Sequence, residues 1–164
     1  MPASNLETLL DFETEIEASF VAYLATTLGL PATGSDTNVS LGTPRINVIS
    51  TVVEQGPHQY NITTGVYAGR AFYDQFRSTV QIDLVYDPSF GQSQGTLRGK
   101  VRKMLTDYFG IKAAFAVNGY LLLAPDSLRQ TGGTRGVNSD EKEETISTVI
   151  ECVFFVNPAA IPQS

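Results

Sequence analysis

Residues 72–87 read Phe72-Tyr73-Asp74-Gln75-Phe76-Arg77-Ser78-Thr79-Val80-Gln81-Ile82-Asp83-Leu84-Val85-Tyr86-Asp87. Phe76, Ser78, Val80, Ile82, Leu84 and Tyr86 share one parity. Arg77, Thr79, Gln81, Asp83 and Asp87 share the other, interrupted only by Val85. Side chains alternate across a strand, so this period of two predicts a strand with one face on a core and one face wet.

Three further segments read as partners for it. Pro44 to Glu54 (PRINVISTVVE) is β-branched, with apolar residues on both faces. Tyr120 to Ala124, following the tight-turn pair Asn118-Gly119, begins a strand that extends as far as Leu128. Thr145 to Val156 places Ile146, Ile150, Cys152, Phe154 and Val156 on one face. Its other face holds Val149, Val153 and Phe155, so an apolar outer patch would lie beside the polar face of 72–87, as a subunit interface needs. Residues 60–69 (YNITTGVYAG) fit either a short strand or an ordered loop.

Two segments carry helical spacing. From Ser4 to Leu28, apolar residues recur at Leu9, Phe12, Ile16, Phe20, Tyr23 or Leu24, and Leu28, and Ser4 with Glu7 has capping-box spacing. Acidic residues fill the first half of this segment, where the helix dipole favours them, and Gly29 and Pro31 are stop signals. From Ser93 to Phe109, Leu97, Val101, Leu105 and Tyr108 form a stripe and Gly110 occupies a C-cap position, with 111–117 as a further helical turn. Residues 31–43 and 87–91 read as loops. Residues 129–144 (RQTGGTRGVNSDEKEE) read as a long, polar, mobile hairpin loop, and 157–164 as a frayed tail.

The resulting order is α-β-β-α-β-β. It predicts a single α+β domain over 1–164: a mainly antiparallel four-stranded sheet, two helices packed on one face, and a long polar loop between the last two strands. The length of 164 residues suits one domain with its own core. Seventeen acidic against 11 basic residues give a net charge of −6, which argues against a sequence-independent nucleic-acid clamp. The single cysteine excludes an intramolecular disulfide framework, and the single histidine excludes a multi-histidine metal site. No apolar run is long enough to span a membrane as a helix, and Met1-Pro2-Ala3-Ser4 lacks the basic start of a secretory signal. The expectation is a soluble protein made inside a cell, with no cofactor.

Candidate chemical residues are few. His58 lies in a Gly-Pro-His turn and Cys152 in mid-strand, where a small buried hydrophobe is expected. Glu13 and Glu17 are one helical turn apart, but no second ligand set accompanies them. Asp83 and Asp87 frame a strand without a base or nucleophile beside them. The Gly-rich run 132–136 (GGTRG) lacks the Lys-Ser/Thr ending of a phosphate loop, and Asn61-Ile62-Thr63 matches a glycosylation triplet in a chain without a signal. The densest charge is Arg98-Gly99-Lys100-Val101-Arg102-Lys103, four cations in six residues. It reads as a solvated helix face, or as a partner for an acidic patch on an adjacent copy, such as the first helix or residues 140–144.

The layout resembles the tail terminator and head–tail joining (neck) proteins of long-tailed bacteriophages. The resemblance is carried by the N-terminal helix (Leu6 to Leu28), the Pro-led strand from Pro44, and the Phe/Tyr-rich entry Phe72 to Phe76 into the alternating strand. The helix from Ser93 and the acidic stretch Asp140 to Glu144 before the last strand complete it. It covers nearly the whole chain in order and spacing, without a diagnostic short motif. It implies a non-enzymatic structural subunit forming a homo-oligomeric ring, usually of six copies, that stops tail-tube growth. The implied partners are the tail tube protein and a connector or portal-side neck protein. DNA would pass through the lumen without specific binding, no membrane would be involved, and the location would be the tail–neck junction of a virion assembled in the host cytoplasm. The expected contact residues are Arg98, Lys100, Arg102 and Lys103, with Arg129, Arg135, Asp140, Glu141, Glu143 and Glu144 from the loop. The alternatives are a head-completion or connector-stopper protein, and a small α+β ligand-binding domain or enzyme. The last would draw on Asp83, Asp126, Arg129 and His58 beneath the 129–144 loop.

Overall fold

The computed structural model describes residues 10–29, 32–34, 45–54, 56, 59–63, 65–86, 99–100, 102–103, 106–116, 121–124, 127–138 and 143–157. The elements in chain order are α1 (Phe12–Leu28), β1 (Ala32–Gly34), β2 (Arg45–Glu54), β3 (Gln59–Asn61), β4 (Ala71–Tyr73) and β5 (Gln75–Tyr86). They continue with α2 (Tyr108–Ala116), β6 (Leu121–Leu123), β7 (Arg129–Asn138) and β8 (Glu143–Val156). The class is α+β, as the element order predicts. The sheet is wider than the four strands expected: six strands run β1-β2-β5-β8-β6, with β7 also pairing β8. The four predicted strands do form one antiparallel ladder, β2-β5-β8-β6.

The two additional strands come from segments read as loops. Ala32–Gly34 pairs in parallel with Ile46–Val48 at the sheet edge. Most of the segment read as a mobile loop is strand: Arg129–Asn138 is β7, laid antiparallel along β8 with a bulge between Gln130 and Gly132, and Glu143 and Glu144 already belong to β8. Gly133 marks a close backbone approach. A Cβ built on Gly133 would lie 3.0 Å from the Ser147 carbonyl oxygen. A 14-residue β8 supplies the unsatisfied backbone groups that draw a polar, Gly-rich segment into the ladder.

The alternating strand also divides. β5 begins at Gln75, whereas Ala71–Tyr73 leaves the main sheet to pair with Gln59–Asn61 in a two-stranded sheet. The carbonyl of Asp74, at the break, accepts from the Val156 amide at 2.9 Å. Residues 60–69 thus hold one short strand and the turn that follows it. Gly65 and Gly69 take positive φ of 84° and 87°, and Ile62 exchanges backbone bonds with Gly69 and Arg70.

Both helices pack against one side. α1 is capped by Asp11, whose side chain accepts from the Thr14 amide at 3.3 Å, and ends at Gly29 with φ 68°, the expected stop. The Ser4–Glu7 box lies outside the described residues. The second helix differs from expectation. Residues 99–100 and 102–103 are helical, but the described helix starts at Tyr108, so Gly110 lies in its first turn. Asp107 makes that start. Its Oδ1 accepts from the Gly110 amide at 3.2 Å, and its Oδ2 accepts from Tyr23 Oη at 2.6 Å. A Cβ on Gly110 would come within 2.3 Å of Asp107 Oδ2 and 2.9 Å of Tyr23 Cε2, so a larger residue here displaces the Asp107–Tyr23 pair.

The core lies between the helices and the inner sheet face. Phe12, Ile16, Phe20 and Leu24 of α1 and Ile111 of α2 meet Ile46, Val48, Val80, Ile82, Leu84, Ile146, Ile150, Cys152 and Phe154. At its centre Phe12 lies 4.6 Å from Phe76 and 5.9 Å from Phe154, and Phe76 stacks on Phe154 at 5.6 Å between centroids. Ser50 Oγ donates to the Glu13 carbonyl at 2.9 Å, tying β2 to α1.

Candidate interaction surface

The outer sheet face carries no helix in its described part. Cross-strand registers order it into rows: Val53, Arg77 and Val153; Thr51, Thr79 and Glu151; Ile49, Gln81 and Val149; Asn47, Asp83 and Ser147. Its centre, on β5, is polar. Its flanks are apolar, with Ile49 42% exposed and Val53 47% exposed on β2, and Phe155 37% and Leu122 47% exposed at the β8–β6 junction. Leu122 and Phe155 are register partners, so those two exposed side chains form one patch. Large apolar side chains grouped on an otherwise polar face mark an association surface more often than single exposed residues do. Period two makes this face readable from Val149, Val153 and Phe155, but the contribution of Leu122 needs its pairing with Phe155.

The polar centre is internally bonded. Ser147 Oγ donates to Asp83 Oδ1 at 2.6 Å, and Gln81 Nε2 donates to both Asp83 oxygens at 2.9 and 3.2 Å. Asp83 is thus held as an acceptor in a side-chain cluster. Arg129 donates to Glu151 at 2.8 Å with its own side chain largely exposed, a geometry worth little in stability.

The expected contact residues fall in several places. Arg98, Asp140 and Glu141 lie outside the described residues, as do His58, Asp87, Asp126 and the tail 158–164. Arg102 and Lys103 are exposed on the helical stretch that precedes α2. Lys100 is part-buried and engaged within its own chain. Arg135 stands in β7 opposite Ile146, and Glu143 in β8 opposite Asn138. Glu144 is not a loop carboxylate: it accepts from the buried Tyr86 hydroxyl at 2.5 Å. Arg129 and Glu144 lie at opposite ends of the β7–β8 ladder, so the charges expected on one arm do not cluster. With the segment in a strand, Asp83 and Arg129 also do not meet beneath a loop.

Titratable groups give little reactive chemistry. Burial, followed by the neighbouring Glu151 charge, pushes the Cys152 thiol up to about 12, away from a nucleophilic thiolate. Burial and the hydrogen bond to Asp107 push Tyr23 up to about 12. Burial, then repulsion from Asp11, raises Glu15. No group of three or more metal-ligating side chains occurs among the described residues.

A concavity lies between α1 and the edge strand β1. Thr14, Glu17, Ala18, Val21, Ala32, Thr33 and Gly34 line a cavity of about 250 Å³. No pattern in the sequence points to it, because 31–43 reads as a loop and the pocket's far wall is β1.

No family model matches the chain, and no curated protein matches it. Solved structures do match. One of them, whose name carries no functional description, shares 17% identity over 93% of this chain and 96% of its own, with a TM-score of 0.39. At that score the likeness supports no statement about function.

Proposed function

We propose that this chain is a structural, non-enzymatic subunit of a ring, acting as a tail terminator at the tail–neck junction of a phage virion. The observation that carries the proposal is the outer sheet face, which no described helix covers. Its flanks expose Ile49, Val53, Leu122 and Phe155 while the helices cover the opposite side. A face of this kind fits an interface with a second subunit or with the end of a tube. The layout resemblance supplies the setting: a ring, usually of six copies, between tail tube and connector, through which DNA passes. The acidic balance of −6 suits a wall that lets DNA slide, because like charge keeps phosphates from sticking.

The test is electron microscopy of the purified chain, alone and mixed with tail tubes, with native mass spectrometry for copy number. The expected result is rings, or caps at one end of each tube. A chain that stays monomeric and ignores tubes overturns the terminator assignment. Association with portal assemblies instead of tubes moves the chain to the connector-stopper position.

A further inference from the structure

We propose that the open edge of β2 in one copy of this chain pairs antiparallel with the open edge of β7 in the next, so that the sheets of neighbouring subunits run on as one. The inference rests on the ring-subunit reading and names the contact that joins its copies. Two edges of the main sheet carry it. β1 covers β2 only at Ile46, Asn47 and Val48, and among the described residues no strand pairs with 49–54 on that side. At the opposite edge β7 pairs with β8, and among the described residues no strand pairs with its other side.

Backbone groups decide the kind of partner. An edge strand presents a row of N–H and C=O groups, and another strand satisfies such a row along its whole length. Edges that stay single are commonly blunted by proline, lysine or a bulge. Residues 49–54 (ISTVVE) and 132–138 (GGTRGVN) contain neither proline nor lysine, and the β7 bulge lies before the second stretch, between Gln130 and Gly132. The three glycines of 132–138 also leave room for another backbone to come close.

Strand direction selects a second copy as that partner. β2, β5, β8 and β7 alternate in direction. A copy added alongside in the same orientation therefore sets its β2 antiparallel to this β7, and the alternation continues unbroken. Such head-to-tail addition leaves one edge of each kind open at every step and closes into a ring where the rotation allows. Charge agrees. Glu54 is the one charged position in 49–54, and Arg135 the one in 132–138. Both belong to the helix-covered face, since their register partners are the buried Phe76 and Ile146. β7 against β7 would join two cationic edges, and β2 against β2 two anionic ones. The register follows from β1, which occupies the edge through Val48. Asn138, the last residue of β7, then falls opposite Ile49, Gly136 opposite Thr51, and Thr134 opposite Val53. Glu54 falls opposite Gly133, with Arg135 on the diagonal, a spacing that long side chains bridge.

The experiment uses the full chain with Val53→Cys and Thr134→Cys in one molecule, oxidised mildly and run on a non-reducing gel. Within one copy β5 and β8 separate the two positions by about 14 Å or more, beyond the reach of a disulfide. Cys152 is buried, so the new thiols react first. The expected result is a ladder of covalent multimers that ends at the ring's copy number. Neither single variant should give a bridge, and neither should Val53→Cys combined with Asn138→Cys, which is four residues out of register. Circular dichroism checks that each variant folds. Glu54→Lys should lower ring yield in native mass spectrometry by about fivefold or more, and adding Arg135→Glu to the same chain should restore it. Rings that form normally without the ladder overturn this contact while leaving the ring-subunit reading in place. A bridge from either single variant reports like edges paired with each other, and also overturns it. A wild-type chain that never leaves the monomer overturns both readings.

Discussion

The two faces of the β5–β8 ladder are built from the same two strands and the same register, yet they do different work. On the inner face, Phe76 meets Phe154, Ser78 meets Cys152, Val80 meets Ile150 and Leu84 meets Ile146. All of these are buried. On the outer face, Arg77 meets Val153, Thr79 meets Glu151, Gln81 meets Val149 and Asp83 meets Ser147. One face is chosen for packing, and the other mixes charge, hydroxyl and hydrocarbon. The difference separates what holds the fold from what is left for partners. A substitution on the inner face should be read in stability, and one on the outer face in assembly.

The sharpest way to break that division is Phe154→Ala. It removes the ring that meets both Phe12 and Phe76, and a large-to-small change at such a core position costs about 3–5 kcal/mol. Urea denaturation should show that loss; a change under 1 kcal/mol would mean the aromatic trio is not packed as described. Gly110→Ala comes next, at about 1–3 kcal/mol, because the new methyl group collides with the Asp107–Tyr23 pair at the start of α2. Thermal unfolding of this variant beside Tyr23→Phe separates overpacking from loss of the hydrogen bond.

Alkaline pH tests the inner side in a second way. Tyr23 and Cys152 both hold their protons more tightly in the folded chain, each up to about 12 against ordinary values of 10.0 and 9.0. The native state then binds more protons than the unfolded state between those values. Stability contributed by each group is present below its unfolded pKa and is lost as pH rises towards 12. Unfolding free energy measured from pH 8.5 upward should fall, and Tyr23→Phe and Cys152→Ala should each flatten the fall.

Ser78 offers a gain. Its Oγ is buried opposite Cys152 and lacks a hydrogen-bond partner. Ser78→Ala should therefore leave stability unchanged or raise it by about 1 kcal/mol, as read by chemical denaturation. The outer face should cost less than the inner one. Phe155 is 37% exposed, so Phe155→Ser should cost about 1–2 kcal/mol, against about 3–5 kcal/mol for Phe154→Ala. Under the proposed function, the same variant should lower ring yield in native mass spectrometry. A loss comparable to that of Phe154→Ala would erase the distinction between the faces.

The legible parts of the fold were those with strong local pattern. The alternation from Phe76 to Tyr86 located β5, and the β-branched run from Arg45 to Glu54 located β2. Gly29 marked the end of α1 through the one backbone conformation that glycine tolerates best. β7 was not legible because Thr131 to Gly136 has neither β propensity nor alternation; its strand character comes from the long partner β8. β1 is three residues recruited by the edge of β2. Gly110 misled because glycine after a helical stripe normally ends a helix, whereas here it relieves a clash at the start of one. The outer apolar face was half visible in Val149, Val153 and Phe155. The Glu17 pocket was invisible, since one of its walls was read as loop.

β8 has one more consequence, for the chain as it is synthesised. It is the interior strand, flanked by β5 on one side and by β6 and β7 on the other, yet it follows all of them in chain order. During translation, β2 and β5 emerge first and can pair, but the far edge of β5 has no partner until β8 is made. Closing β5 on β8 also brings together residues as distant in sequence as Gln75 and Phe155. Pairing of this kind forms late, because loop closure precedes its reward. Until then β5 offers an open edge to other nascent chains, and completion of the sheet by β8 removes that hazard.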